Sequence, residues 1–152
     1  MKPILIASDH AGFGLKEWLK DYLKHKRIKV KDLGTYSTES CDYPEFAYNL
    51  AKLISEKKYK QGVLICKSGI GNSIVANRFP GVRAALCYKV QTAELSRLHN
   101  DSNVLVLGSG FVTKKNAGKI VDVWLSTGFE GGRHKRRLNK ITEIEKLIRS
   151  KK

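Results

Sequence analysis

The 152-residue chain contains no CxxC, HxH or HExxH spacing, and its four histidines (His10, His25, His99, His134) are scattered, so no pattern indicates a metal. No apolar run approaches the roughly 18–20 residues of a membrane span, which excludes a helical membrane protein. Cysteine is scarce: Cys41, Cys66 and Cys87 stand alone, and since Met1-Lys2-Pro3 runs straight into a short apolar segment, no secretory leader is expected. A reducing, cytoplasmic setting is expected. Acidic residues are few, 14 against 29 Lys and Arg, giving a formal charge of +15. Aromatics make up only 9% and do not interleave with the basic cluster Arg133-His134-Lys135-Arg136-Arg137. With no recognisable nucleic-acid motif beside it, the segment Arg133–Lys140 is a poor candidate for a nucleic-acid-binding module, the main alternative that the charge suggests.

What is present fits one domain spanning residues 1–152, a length that buries roughly 68–70% of the unfolded surface. Short β-rich runs alternate with helical patterns, which predicts an α/β, three-layer α-β-α Rossmann-like fold with a five-stranded parallel sheet. The strand candidates are Ile4–Ala7, Ile28–Leu33, Val63–Cys66, Val82–Cys87 and Val104–Leu107. Four are nearly continuous apolar runs, as for strands buried on both faces. Ile28–Leu33 alternates and belongs nearer an edge. Apolar residues at helical spacing mark Leu15–Leu23, Phe46–Ile54 after Pro44, Val90–Leu98, Ala117–Leu125 and Ile141–Ile148. The cluster Arg133–Arg137 reads as an exposed loop or a helix start before the last of these. Residues 138–152 form a C-terminal helix or tail expected at a subunit interface.

Ligand sites in open α/β sheets lie beyond the carboxyl ends of the strands. Three glycine-containing segments occupy that position: Ser8–Gly14, Cys66–Ser73 and Gly108–Gly110. None completes GxGxxG, because Glu17, Ile74 and Thr113 stand where the third glycine belongs. Lys67-Ser68 lacks the preceding glycine of a Walker loop, and Asn72 stands where a phosphatase loop needs arginine. A nucleotide cofactor is therefore not expected. The remaining chemistry is a loop of glycines and small hydroxyls leading into a helix, able to hold an oxyanion on backbone N–H groups. Its first residue, Cys66, has two readings: a thiol activated by the helix N-terminus and Lys67, or the last inward residue of a buried strand. Cys87 reads as buried. His99 suits proton transfer or a helix C-terminus, and His25 reads as solvated. The pair Asp9-His10 follows a buried strand at the expected ligand position.

These blocks, Ser8-Asp9-His10-Ala11-Gly12, Asp42-Tyr43-Pro44, Cys66–Ser73, Leu98-His99-Asn100-Asp101 and Glu130-Gly131-Gly132-Arg133-His134, resemble the type B ribose-5-phosphate isomerases, which share a family with galactose-6-phosphate isomerase subunits. The resemblance spans about residues 3–144. It implies isomerisation of ribose 5-phosphate and ribulose 5-phosphate through a cis-enediolate in the non-oxidative pentose phosphate pathway, without metal or cofactor. A 6-phosphohexose, allose or galactose 6-phosphate, is the alternative substrate. It further implies Cys66 as the base, His99 opening the sugar ring, and Lys67, Ser68, Gly69, Ile70 and Gly71 holding the oxyanion. Asp9, Asn100 and Tyr43 would contact the sugar; His10, Arg133, Arg137 and His134 would hold the phosphate. The sites would be shared across a homodimer, possibly paired into a tetramer. Two departures stand out: Lys67 and Ser68 replace the family's usual Gly-Thr after the cysteine, and Gly110 replaces a common arginine. Loss of that cation is expected to weaken phosphate binding unless Lys67 or another basic residue compensates, and a chain that keeps the fold but loses catalysis through Lys67 is a further alternative.

Overall fold

In the computed structural model, which describes residues 1–151, five parallel strands alternate with helices along the chain. They are β1 (Ile4–Ser8), β2 (Val30–Asp32), β3 (Gly62–Cys66), β4 (Ala84–Leu86) and β5 (Val104–Gly108). The helices are α1 (Phe13–His25), α2 (Tyr43–Ser55), α3 (Ile70–Ala76), α4 (Val90–Asn100), α5 (Lys114–Ser126) and α6 (Arg133–Ser150). The strand order is β2-β1-β3-β5-β4. The central strands carry the apolar runs because alternate residues feed two cores. Ile6, Val63, Ile65, Leu105 and Leu107 face α1, α4 and α5, where Leu19, Leu23, Ile120 and Trp124 are buried. Leu5, Ala7, Leu64, Val104 and Val106 face α2 and α3, against Leu50, Ala51, Ile54 and Ala76. The three-layer prediction holds, and β2 lies at an edge as its alternation indicated.

One local reading changes and one is decided between its alternatives. The segment Val82–Cys87 is not buried on both faces: β4 shrinks to three half-exposed residues at the other sheet edge. The basic cluster is a helix start, so Arg133 through Ser150 form one continuous α6, not a short helix behind a loop. The ammonium groups of Lys20 and fully buried Lys16 both reach Asp32, at 2.8 and 2.6 Å. Together the two ammonium groups, with the Gly34 N–H, outweigh the desolvation of Asp32 and hold its carboxyl below the usual range. Cys87 is buried in the core as expected, and His25 is exposed. No described helix is long and apolar enough to cross a membrane.

Candidate active site

The chain leaves β1 toward β2 on one side and reaches β3 on the other, so a crevice opens between the carboxyl ends of β1 and β3. The pairing Ser8↔Ile65 brings Asp9 and Cys66 to that crevice. Gly12 permits the approach: a Cβ there would lie 2.6 Å from the Ile65 carbonyl oxygen. Asp9 is 6% exposed, and its Oδ1 accepts the Gly12 N–H at 3.0 Å, which fixes the carboxylate. His10 is held through Nδ1, 3.2 Å from the Cys41 amide. Tyr43, at the start of α2, lays its ring against Gly71.

Cys66 ends β3 with its side chain buried, and the Gly69 N–H points at Sγ from 3.2 Å. Gly69 adopts φ +84, a conformation suited to glycine, and thereby turns the loop into α3. Ser68 Oγ accepts the Ile70 N–H at 3.2 Å. Of the two readings of Cys66, the buried strand end describes its place, and the other, a thiol made acidic by the helix and Lys67, does not describe its electrostatics. Instead, burial pushes the Cys66 thiol up, against hydrogen bonds from the Asn72 and Gly69 amides, and the Asp9 carboxylate pushes in the same direction as burial. Lys67 does not offset this, because its stem folds over Gly110: a Cβ at Gly110 would meet Lys67 Cε at 2.8 Å and Nζ at 3.1 Å. The N–H of Gly110 donates to the Lys67 carbonyl at 2.9 Å, joining the two loops. The two departures from the family's pattern thus occupy one place.

The other predicted residues collect elsewhere. His99, near the end of α4, and His134, in the first turn of α6, stack with ring centroids 4.2 Å apart and planes 13° apart. Glu130 places Oε2 4.0 Å from Nε2 of each ring. Asn100 follows His99 and is exposed, as are Arg133 and Arg137, one helical turn apart beside His134. His134 is held below the ordinary histidine range, first by burial and then by His99 and Arg133. This group sits where α4 returns to the start of β5, whereas Cys66 pairs with Gly108 at the end of β5. Val104 to Gly108 spans four residue steps, about 13 Å at ~3.3 Å per residue, and the two groups lie toward opposite ends of that strand. No hydrogen bond or ion pair joins them among the described residues.

Among the described residues, three buried side-chain polar atoms lack a hydrogen-bond partner: Ser8 Oγ, Asn72 Oδ1 and His134 Nε2. Such an atom costs roughly 1–3 kcal/mol unless water or another group satisfies it, so each calls for a partner. Ser8 and Asn72, flanking the crevice, were missed in the sequence reading. The available signal was a polar residue at an inward position: the last residue of β1 and the buried face of α3. Glu130 was read only as part of a motif, and its place between two histidines depends on the turn that brings its N–H to the Leu98 carbonyl, 3.1 Å away.

Comparison with known proteins matches residues 4–141 to the model of the Ribose/Galactose Isomerase family. Ribose-5-phosphate isomerase B of Escherichia coli K12 is 45% identical over 145 residues, covering 95% of this chain and 97% of that protein. The structure of Clostridium thermocellum ribose-5-phosphate isomerase B superposes with a TM-score of 0.94 at 45% identity, covering 97% of this chain and 99% of the other. That of the Mycoplasma genitalium enzyme with bound ribulose 5-phosphate gives 0.91 at 45% identity, covering 95% and 96%.

Proposed function

The chain belongs to the ribose/galactose isomerase family, and on that premise we propose that it interconverts D-ribose 5-phosphate and D-ribulose 5-phosphate, as a cytoplasmic enzyme of the non-oxidative pentose phosphate pathway. The observation that carries the reading is the Asp9–Cys66 crevice, where backbone N–H groups face the sulfur and two buried polar atoms stand unpaired. His99 opens the furanose ring by moving a proton between the ring oxygen and the anomeric hydroxyl. Cys66 thiolate then removes the C2 proton. The C2–H electron pair forms the C1–C2 double bond, and the C1 carbonyl oxygen takes the charge and a proton. Loss of the O2 proton and return of the carried proton to C1 complete the ketose with no net change in atoms or electrons.

The Gly69 amide faces Sγ and the Ile70 amide is occupied by Ser68, so the Gly71 N–H and the Ser68 hydroxyl remain for the enediolate oxygen, with Lys67 at the rim. Asp9 keeps Oδ2 free for a sugar hydroxyl, assisted by Asn100 and by Tyr43 packed on Gly71. Arg133 and Arg137 hold the phosphate with His10 and His134. Lys67, folded over Gly110, replaces the arginine usual at that position.

Cys66 and His99 stand at opposite ends of one chain's sheet, so the complete site needs two chains. A homodimer in which a two-fold axis sets one chain's crevice against the other's His99 and Arg133 supplies both sites at once. Helix α6 gives such a pair an apolar contact: Ile141, Ile144, Leu147 and Ile148 are all exposed. Pairing of dimers into a tetramer extends the same logic. The test is turnover of ribose 5-phosphate, with allose 6-phosphate as competitor. Conversion to ribulose 5-phosphate is expected; selective turnover of the hexose phosphate would move the assignment to the 6-carbon branch of the family.

A further inference from the structure

Glu130 takes no part in the isomerisation proposed above, yet its carboxylate is aimed at both histidines of the stack. The potential ligand atoms of His99, Glu130 and His134 all lie within 4.8 Å of one another. His134 is only 5% exposed, and its Nε2 is buried without a hydrogen-bond partner, so a lone pair or N–H is held in the cluster unsatisfied. Two imidazole nitrogens and one carboxylate form a donor set that suits Zn²⁺, with water from the exposed side of Glu130 as the fourth ligand. Imidazole makes it a poor site for Mg²⁺ or Ca²⁺, which take oxygen ligands. Tetrahedral zinc with bonds of about 2.0–2.1 Å needs ligand atoms roughly 3.3 Å apart. The two nitrogen–carboxylate separations are 4.0 Å, so closure requires a modest contraction. The side chains of His99 and Glu130 are 38% and 51% exposed and are free to make it, the His99 ring swinging out of the parallel stack so that both lone pairs converge. His134 stays fixed in the first turn of α6.

We propose that His99, Glu130 and His134 form a zinc-binding site, and that Zn²⁺ bound there inhibits the enzyme by occupying the imidazole lone pair His99 needs for ring opening. The inhibitory half rests on the function proposed above, whereas the binding half does not. Zinc enters as a hydrated dication and exchanges waters for three protein ligands, with no redox step.

Binding is measured by calorimetry with ZnSO4 on the full-length Cys41→Ser/Cys66→Ala variant, which removes the half-buried Cys41 thiol and the crevice thiol as competitors. One zinc per chain is expected, weakened at least about tenfold by Glu130→Gln and lost in His134→Ala, while MgCl2 gives no binding. Equal zinc affinity in all three proteins would overturn the site. With the Cys66 thiol present, zinc should inhibit turnover, and Glu130→Gln should retain zinc-free activity within about twofold while becoming about tenfold less sensitive. Residue-dependent zinc binding with unchanged turnover overturns the inhibitory half. Residue-dependent binding by a chain that isomerises no sugar phosphate upholds the site and overturns the function assigned to it.

Discussion

The two ends of the sheet solve different problems. At the carboxyl end, Asp9 and Cys66 are buried, locked by backbone N–H groups and set by the pairing of β1 with β3. At the amino end, His99, Asn100, Arg133 and Arg137 hang from helix termini, largely exposed, with His134 buried behind them. A proton-transfer group gains from rigid placement and exclusion of water. Cationic groups that must meet a dianion arriving from solvent gain from reach and a steering field. For the isomerisation proposed, neither end is a complete site, so the division bears on assembly more than on fold.

The comparison breaks most visibly at the buried end. Cys66→Ala should lower kcat by about 10³-fold or more with the circular dichroism spectrum unchanged, since it removes the base and little packing. A variant within tenfold of the parent would assign the C2 proton to another group. Next in size is Gly12→Ala, where the added methyl meets the Ile65 carbonyl oxygen at 2.6 Å, a backbone atom that cannot swing away. A loss of about 2 kcal/mol in unfolding free energy is expected by urea titration, alongside reduced kcat from parting the two strands. Full stability would show that the crevice is looser than its geometry implies.

Lys67→Ala tests the cation folded over Gly110 at the buried end. Its ammonium is exposed, so KM for ribose 5-phosphate should rise only about three- to tenfold with kcat little changed. No rise in KM would exclude Lys67 as a phosphate contact. The smallest effect is a displacement in pH. In the protein without substrate, burial and Asp9 favour the neutral thiol, so the thiolate appears only as pH climbs past the ordinary cysteine range. Alkylation of Cys66 by iodoacetamide, followed by peptide mass spectrometry, should titrate with a midpoint above that of free cysteine. A midpoint below it would show that charge from a second chain overcomes the cost of burial.

Much of this molecule is legible in its sequence for identifiable reasons. Apolar runs that feed two cores reveal β1, β3 and β5, and residues just after such strands are where ligands bind, so Asp9, His10 and the Cys66 loop stand out. The end of α4 at His99-Asn100 is likewise readable, with Asp101 closing it in the left-handed region. What depends on distant contacts is not readable. The continuity of α6 was hidden by its polar, basic first turn. The direction of the Cys66 shift turned on a balance of burial against amide hydrogen bonds that spacing does not contain. The packing of Lys67 over Gly110 and the His99–Glu130–His134 cluster each join segments far apart in the chain.

The central claim is that one chain supplies Cys66 and another supplies His99 to the same site, and mixing two inactive variants tests it directly. Cys66→Ala and His99→Asn chains are unfolded together in equal amounts and refolded, then assayed on ribose 5-phosphate. Each mixed dimer then carries one intact and one doubly impaired site, so random pairing restores about a quarter of the parent activity. Activity no higher than that of either variant alone would contradict the shared site.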